Sequence, residues 1–252
     1  MPALIPRPRA QIADGAVHVP GWLRAAEQRE LVAACREWAR PPAGLRHTRM
    51  PSGGMMSVQT VCLGWHWMPY RYSRTADDVD GAAVKRFPRW LADLGRRALA
   101  EALEIAPQAD GALAEALEVE PQAGRAPEVS PQVGETLAGA ERPAAYEPDV
   151  ALINFYDGSA RMGMHADKDE RSAAPVVSLS LGDTCLFRFG NAQSRGRPWH
   201  DIELESGDLF VFGGASRLAY HGVLRTMPGT GDPSIGLPGG RLNITLRESG
   251  LS

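Results

Sequence analysis

The chain has 252 residues, of which 44% are hydrophobic and 23% charged, with a formal net charge of −3. This length and apolar content suit one large domain with a sizeable core. The cysteines Cys35, Cys62 and Cys185 are too few and too scattered for a disulfide framework. The N-terminus shows neither a signal peptide nor a membrane-spanning run. We therefore expect a cytoplasmic protein with no membrane partner.

Two helices are predicted in the first half of the chain. In residues 24–40, apolar side chains recur at helical spacing and the segment stops before Pro41. A second amphipathic helix is predicted for residues 88–104. Its expected core side chains are Trp90, Leu91, Leu94, Leu99 and Leu103.

The segment after the second helix is acidic and repetitive. It contains three related sequences, ALEIAPQA at 102–109, ALEVEPQA at 116–123 and APEVSPQV at 126–133. Because these leave few large side chains to bury, we expect residues 105–145 to be a flexible surface insertion, either an expanded loop or a partner-binding segment. Residues 101–149 hold eleven acidic and two basic residues. The remainder, with 25 basic and 19 acidic residues, has a net charge of +6, which is compatible with phosphate contacts.

Six strand-like runs follow, separated by clusters of Gly, Asp and Ser. They lie at residues 150–156, 175–181, 184–190, 200–204, 208–213 and 241–247. Two helices followed by many short strands predict a mainly β fold with flanking helices, of the α+β class.

A candidate metal site lies just after the first predicted strand. His165 and Asp167 form an H-x-D pair, and His221 follows far downstream. In a strand, residues i and i+2 point the same way, so the pair can bind one ion. Two imidazoles and one carboxylate are the set of ligands that holds Fe(II) and leaves positions open for a co-substrate and O2. H-x-D alone is a weak signal, because it arises by chance in many chains.

The last predicted strand strengthens this interpretation. Residues 241–247 alternate strictly, so Arg241, Asn243, Thr245 and Arg247 share one face. Two cations on a buried face are costly unless an anion meets them, and guanidinium groups match carboxylates well. A dicarboxylate is the expected guest, which indicates an Fe(II)- and 2-oxoglutarate-dependent oxygenase. The alternative is that the arginines pair with core acids such as Asp167.

Together these motifs resemble the AlkB-type family of nucleic acid dealkylation dioxygenases. The matching stretches come in the family's order, cover most of residues 20–100 and 148–249, and form a highly specific combination. They are MSV at 56–58, LGW at 63–65, YRYS at 70–73, NFY at 154–156, HADKDE at 165–170, PVVSLSLG at 175–182, GD at 207–208, GGASRLAYHG at 213–222 and RLNITLR at 241–247. The acidic insertion is the main departure.

The resemblance implies a double-stranded β-helix, a jelly-roll barrel backed by N-terminal helices, in a single catalytic domain of residues 1–252. Residues 148–249 would form the β-helix core, and residues 20–100 the helices and a nucleotide-recognition lid. Three residues would bind Fe(II) and carry the catalytic chemistry: His165, Asp167 and His221. Six would bind 2-oxoglutarate, with Arg241 on its distal carboxylate: Asn154, Tyr156, Arg241, Asn243, Thr245 and Arg247.

The lid would recognise the substrate. Trp65 and Tyr70 match its aromatic residues, and a flipped base would stack between Trp65 and the ring of His165. Asp169 matches a carboxylate that contacts the exocyclic amine or the positive charge of a methylated adenine or cytosine. Arg195 matches, by its spacing, an arginine that contacts substrate.

Packing of the lid on the barrel is the alternative interpretation for the lid tryptophans. For Trp65 the stacking role is favoured, and for Trp67 the packing role is favoured.

The reaction implied by the resemblance is oxidative demethylation of bases such as 1-methyladenine and 3-methylcytosine in DNA or RNA. It would use Fe(II), O2 and 2-oxoglutarate and release formaldehyde, succinate and CO2. The partner would be alkylated nucleic acid, preferentially single-stranded or with a flipped base, and a monomer is the default expectation. One alternative is the same oxygenase chemistry on a protein or small molecule, and another is a binding protein that keeps only the fold.

Overall fold

The computed structural model describes residues 6–115 and 146–252. Helix α1 spans Ala25–Ala39, which confirms the first predicted helix. At its start, a Glu27 carboxylate oxygen accepts a hydrogen bond from the backbone N–H of Arg24 at 3.0 Å. In the described part of the chain, no helix combines the length and the apolarity needed to cross a membrane.

Helix α2 spans Arg89–Glu115 and is longer than predicted. The expectation that it ends at residue 104 is wrong, and Pro107 lies inside it. The sequence on both sides of this proline is rich in Ala, Leu and Glu, which are strong helix formers. The first part of the predicted insertion, residues 105–115, is therefore helical, and the rest, residues 116–145, lies outside the described residues.

Fourteen strands lie within the described residues, and the six predicted strands are among them, each with bounds within one residue of the prediction. The strands are β1 Ala10–Ala13, β2 Ala16–Val19, β3 Arg46–Arg49, β4 Met55–Leu63, β5 His66–Met68, β6 Arg71–Ser73, β7 Val150–Tyr156, β8 Met162–His165, β9 Val176–Gly182, β10 Thr184–Phe189, β11 His200–Leu204, β12 Leu209–Phe212, β13 His221–Met227 and β14 Arg241–Arg247.

These strands form two main sheets and one hairpin. The major sheet has the order β1-β2-β12-β9-β14-β7-β4-β3, and the minor sheet has the order β11-β10-β13-β8. Strand β14 lies between β7 and β9 and is antiparallel to both. Strands β5 and β6 pair only with each other and form the lid hairpin, residues 66–73.

The two main sheets face each other and enclose an aromatic core. Phe187 and Phe189 of the minor sheet each lie 5.1 Å, centroid to centroid, from Phe210 of the major sheet. On its other face, the major sheet packs against α1 and α2 through Leu31, Val32 and Leu91. Facing sheets with helices on one outer side confirm the predicted double-stranded β-helix fold.

Strand β14 shows how the alternation of side chains separates the core from the site. Leu242, Ile244 and Leu246 face the helices and belong to the apolar core. The alternate residues of β14, two arginines among them, face the minor sheet and line a cavity. The fold therefore places a polar strand face inside the protein, between the two sheets.

Candidate metal centre and substrate pocket

The three candidate metal ligands meet where β8 pairs with β13. His165 ends β8 and His221 begins β13, and the antiparallel pairing puts them directly opposite each other. Asp167 follows β8, and its carboxylate oxygens lie 3.6 Å from His165 Nε2 and 3.7 Å from His221 Nε2. Candidate ligand atoms of the three residues all lie within 4.8 Å of one another.

Backbone carbonyl groups orient both imidazoles. His165 Nδ1 lies 2.9 Å from the carbonyl oxygen of Gly163, and His221 Nδ1 lies 2.9 Å from that of Ala219. A carbonyl oxygen can only accept, so Nδ1 carries the proton in each ring. Each Nε2 of a neutral ring then presents its lone pair toward Asp167, which is the arrangement that a metal ligand requires.

The charge state of the site suits a divalent cation. Burial raises the pKa of Asp167, but the Arg247 guanidinium and the two imidazoles outweigh burial and hold this pKa at about 2. Burial lowers the pKa of His221 to about 4. At neutral pH, Asp167 is therefore a carboxylate and His221 a neutral imidazole. These donors fit the two-histidine, one-carboxylate set that holds Fe(II) in oxygenases.

The three candidate metal ligands line a cavity of about 410 Å³. Side chains from the major sheet, the lid hairpin and the β10–β11 loop line the same cavity. Among the predicted site residues, its lining includes Asn154, Tyr156, Arg241, Asn243, Thr245, Arg247, Tyr70, Asp169 and Arg195.

Arg241 is the strongest indication of an anionic guest. The residue is only 1% exposed, and its Nη2 donates to Ser180 Oγ at 3.0 Å. Its Nε and Nη1 have no hydrogen-bond partner within the described residues. A buried guanidinium with unpartnered N–H groups is costly unless an anion binds it. A carboxylate of 2-oxoglutarate has the charge and shape to do so.

Tyr156 lies beside this guanidinium. It is directly opposite Arg241 in the β7–β14 pairing, and the guanidinium carbon lies 5.2 Å from its ring centroid. Burial raises the pKa of the Tyr156 hydroxyl, which keeps it protonated and able to donate. Its predicted hydrogen bond to 2-oxoglutarate stays a prediction.

Amide and hydroxyl groups extend the polar wall along β14 and β7. Asn243 Oδ1 accepts hydrogen bonds from Thr245 Oγ1 at 3.0 Å and from Asn154 Nδ2 at 3.5 Å. Asn243 Nδ2 donates to Ser178 Oγ at 2.8 Å. The structure therefore brings these predicted co-substrate residues together, already hydrogen-bonded to one another.

Arg247 differs from Arg241, because its charge is already balanced. Its Nη2 lies 2.7 Å from Asp167 Oδ2, and its Nη1 donates to Glu170 Oε1 at 2.8 Å. The first contact lacks hydrogen-bond geometry, so Asp167 Oδ2 keeps lone pairs that a cation can take. Pairing with a core acid, the alternative considered for the arginines of this strand, is thus what Arg247 shows. It orients Asp167 while also lining the cavity.

Glu170 and Arg217 are positioning residues to which sequence reasoning assigned no role. Glu170 has a fully buried side chain that accepts hydrogen bonds from Arg217 at 3.1 Å and from the Tyr72 hydroxyl. Arg217 also donates to the backbone carbonyl of Asp167 at 2.6 Å. Both belong to the matched motifs, but no local sequence signal shows that they meet. Through Tyr72, this cluster links the lid hairpin to the candidate metal ligand.

The structure places Trp65 away from the cavity. This residue is 8% exposed and does not line the cavity. Its Nε1 donates to Asp149 Oδ2 at 3.1 Å, and the guanidinium carbon of Arg74 lies 3.3 Å from its ring centroid. Its side chain packs in a small core with Cys62, Val150 and Leu152. Trp65 therefore anchors the lid through these contacts, and its stacking on a base stays a prediction.

Trp67 lines the cavity instead. Its Nε1 donates to Asp169 Oδ2 at 2.8 Å. Tyr70, 66% exposed, and Arg195 also line this cavity, as the sequence predicts. The packing role that the sequence favoured for Trp67 is confirmed, because its side chain also packs against the small core of Cys62, Val150 and Leu152. The contacts of all four residues with substrate stay predictions.

The fold and the site define a class of iron-dependent oxygenase. The chain belongs to the 2OG-Fe(II) oxygenase superfamily, whose family model matches residues 15–247. Within this superfamily it is of the AlkB type, as the resemblance implied. It is 47% identical over 103 residues to an alpha-ketoglutarate-dependent dioxygenase AlkB homolog of Caulobacter vibrioides, an alignment that covers 40% of this chain and 46% of that protein.

Longer alignments connect the chain to plant relatives. It is 29% identical over 246 residues to the DNA N(6)-methyladenine demethylase ALKBH1D of Arabidopsis thaliana, covering 94% of this chain and 50% of that protein. The solved structure of OsALKBH1 superposes with a TM-score of 0.73 at 30% identity, covering 93% of this chain and 98% of that one. The chain thus spans about half the length of the curated relatives that it matches.

Proposed function

We propose that this chain removes alkyl groups from the nitrogen atoms of nucleic acid bases by Fe(II)- and 2-oxoglutarate-dependent oxidation. One observation carries the proposal. The same cavity contains the His165, Asp167 and His221 triad, and Trp67 and Asp169 from the lid side. It also contains N–H groups of Arg241 that have no partner in the described part of the chain. A co-substrate and a base can therefore meet beside the same metal.

The residues of the inner cavity would hold the cofactor and the co-substrate. His165, Asp167 and His221 would bind Fe(II), which with 2-oxoglutarate and O2 supplies the oxidation of the alkyl carbon. Arg241 would bind a carboxylate of 2-oxoglutarate, with the Tyr156 hydroxyl as a further donor. A methyl group would leave as formaldehyde, while 2-oxoglutarate and O2 would yield succinate and CO2.

The residues of the lid would recognise the base. Trp67 takes the stacking role predicted for Trp65, with the ring of His165 on the other side of the base. Stacking of this kind contributes on the order of 1–3 kcal/mol per base and tolerates different sequences. Trp67 holds one carboxylate oxygen of Asp169, which leaves the other for an exocyclic amine or for a positively charged base. A methylated cationic base such as 1-methyladenine or 3-methylcytosine fits this charge.

Lys168 and Arg195 favour a nucleic acid over a protein or a small metabolite as substrate. Both line the cavity, and neither forms an ion pair within the described residues. Unpaired cations beside a base pocket suit backbone phosphates. A base must leave its stack to enter, which costs less in a single strand. We therefore propose single-stranded nucleic acid as the preferred partner. A monomer in the cytoplasm stays the expectation from the sequence.

The length of the alignments supports a second candidate substrate. The relatives that align over 94% of this chain are named as DNA N(6)-methyladenine demethylases. N6-methyladenine is neutral, so it would interact with Asp169 through its N–H and not through a positive charge.

The deciding experiment uses short oligonucleotides that each carry one 1-methyladenine, 3-methylcytosine or N6-methyladenine, in single-stranded and duplex form. The purified chain receives Fe(II), ascorbate and 2-oxoglutarate, and the product is weighed by mass spectrometry. Loss of one methyl group that depends on both iron and 2-oxoglutarate supports the proposal and ranks the substrates. Turnover of 2-oxoglutarate with no loss of methyl from any oligonucleotide would contradict it and favour a protein or small-molecule substrate.

A further inference from the structure

The loop between β10 and β11, residues 190–199, is exposed and yet well organised. Every residue from 192 to 198 is exposed. The Asn191 side chain ties the loop together, because Oδ1 accepts from the backbone N–H groups of Gln193 and Ser194, both at 2.9 Å. Its Nδ2 donates to the carbonyl oxygens of Gly196 at 3.0 Å and Pro198 at 3.3 Å.

Backbone hydrogen bonds attach the same loop to the wall of the cavity. The N–H of Gly190 donates to the Tyr220 carbonyl at 2.8 Å, and the N–H of Tyr220 donates to the Asn191 carbonyl at 2.9 Å. Tyr220 lines the cavity and directly precedes the metal-ligand candidate His221. The loop is therefore held in place by a residue of the cavity wall that adjoins a candidate metal ligand.

The loop carries two arginines that form no ion pair within the described residues. Arg195 lines the cavity, with its guanidinium carbon 5.8 Å from the ring centroid of Tyr220. Arg197 lies outside the cavity lining, and its guanidinium carbon is 5.0 Å from the ring centroid of Trp199. Each guanidinium thus rests near an aromatic ring, which restricts its orientation without neutralising its charge.

Arg188 also lies over the Trp199 ring, but its guanidinium is already paired with a carboxylate. Its guanidinium carbon lies 4.3 Å from the Trp199 ring centroid, and it makes two hydrogen bonds of 2.7 Å to the Asp201 carboxylate. These bonds hold the pKa of Asp201 below its ordinary value, and Arg197 contributes less to this lowering. Because Arg188 occupies both oxygens of Asp201, the charge of Arg197 stays available to a ligand.

We propose that the β10–β11 loop is a clamp for the nucleic acid strand, in which Arg197, oriented by Trp199, binds a phosphate that flanks the flipped nucleotide. This inference rests on the proposed function. Two residues of extended backbone reach at most about 7 Å, so Arg197 lies close to Arg195 along the loop. Arg197 is therefore placed to meet a backbone phosphate close to the base held beside Arg195. A preorganised loop loses little entropy when it binds.

The test measures binding of a single-stranded heptanucleotide with a central 1-methyladenine, by fluorescence anisotropy between 50 and 200 mM NaCl, with 1-methyl-dAMP as the short ligand. Each phosphate contact with a single strand contributes about 0.7 to the slope of log Kd against log salt. Arg197→Ala should lower this slope by about 0.7, so that its salt-induced loss of affinity is about threefold smaller than in the wild type. At low salt, Arg197→Ala should weaken binding of the heptanucleotide more than that of 1-methyl-dAMP.

Two variants serve as controls. Arg225→Ala removes an exposed cation of β13 that does not line the cavity, and it should keep the wild-type slope. Arg197→Lys keeps the charge and should restore most of the slope. If Arg197→Ala matches Arg225→Ala, or weakens both ligands equally, the clamp is overturned while the proposed function stands. If the wild type itself neither binds nor demethylates the heptanucleotide, the proposed function is contradicted, and the clamp with it.

Discussion

His165 and His221 face each other across two antiparallel strands, with their ring centroids 4.5 Å apart and both Nδ1 atoms held by backbone carbonyls. This arrangement turns both Nε2 atoms toward Asp167. Preorganised donors of this kind make each histidine essential to the affinity for metal.

His221→Ala should therefore greatly weaken binding of a divalent metal. Loss of outer partners of metal ligands costs roughly 10- to 100-fold in affinity, and loss of a ligand should cost more. Titration calorimetry with Mn(II) measures this without turnover. His200→Ala removes an exposed histidine of β11 and should bind Mn(II) like the wild type. Wild-type affinity in His221→Ala would refute the metal assignment.

Arg241→Met should separate the stability of the fold from co-substrate binding. Without 2-oxoglutarate, the variant should melt at the same temperature as the wild type or higher, because it loses a buried guanidinium with unpartnered N–H groups. Saturating 2-oxoglutarate in the presence of Mn(II) should raise the melting temperature of the wild type much more than that of the variant. The control Arg188→Met should keep the full shift, and an equal shift in Arg241→Met would argue against a carboxylate at this residue.

The two lid tryptophans should respond differently to substitution. Trp67→Ala should weaken oligonucleotide binding by roughly 5- to 150-fold, which corresponds to the loss of one stacked base. Its 2-oxoglutarate turnover without nucleic acid should fall much less. Trp65→Ala should instead lower the free energy of unfolding by about 3–5 kcal/mol, as expected for a buried aromatic side chain. If a folded Trp67→Ala lost oligonucleotide binding and 2-oxoglutarate turnover to the same extent, the stacking role would be contradicted.

Glu170→Ala should destabilise the fold strongly. It leaves Arg217 and Arg247 buried beside each other with one carboxylate fewer, and breaking a buried ion pair in this way costs about 3–5 kcal/mol. Chemical denaturation measures the change in the free energy of unfolding. Glu203→Ala removes an exposed carboxylate of β11 and should change stability little. Similar stabilities for the two variants would show that the Glu170 cluster is not needed for the fold.

Asp208 should make stability dependent on pH. Burial raises its pKa, but hydrogen bonds from His18, from Arg7 and from the backbone N–H groups of Glu205 and Gly21 outweigh burial and hold the pKa below its ordinary value. A lowered folded-state pKa means that the carboxylate stabilises the fold above the unfolded pKa of about 3.9 and that this stabilisation is lost as the pH falls through the folded pKa.

Wild type should accordingly be more stable than Asp208→Asn at pH 6, and the difference should narrow steadily below about pH 4. Urea denaturation at several pH values measures both proteins. The control Asp77→Asn, at an exposed position, should differ little in stability from the wild type at every pH measured. A difference between wild type and Asp208→Asn that stays constant from pH 6 to pH 3 would contradict the assignment.

Short-range patterns were enough to pair His165 with Asp167 and to predict the polar face of β14, whereas His221 lies far downstream in the sequence. His165 and Asp167 are two residues apart, so the period of a strand places them together. The alternation of residues 241–247 likewise separates the core side chains from the pocket side chains, whatever the other strands do. The strand bounds followed from the same periodicity and from the Gly, Asp and Ser residues between strands.

The choice between Trp65 and Trp67 depended on the backbone conformation. Trp67 lies in the lid hairpin and Trp65 two residues before it, so alternation predicts the same side for both. Trp65, however, lies in a turn before β5, next to Gly64 at a φ of +77°. A Cβ on Gly64 would lie 1.8 Å from the carbonyl oxygen of Asp149, so only glycine permits this close approach, and the next residue, Trp65, donates from Nε1 to the Asp149 carboxylate at 3.1 Å.

Only the tertiary structure distinguished the two arginines of β14. Arg241 and Arg247 look alike in the sequence, because each is a cation on the same strand face. Arg247 meets Glu170 and Asp167, which come from a loop about 80 residues earlier in the chain. Within the described residues only its Nε lacks a hydrogen-bond partner among its buried nitrogen atoms, whereas Arg241 has two such atoms and no carboxylate beside it. Periodicity determines which way a side chain points, but the partner it meets there depends on how distant segments pack.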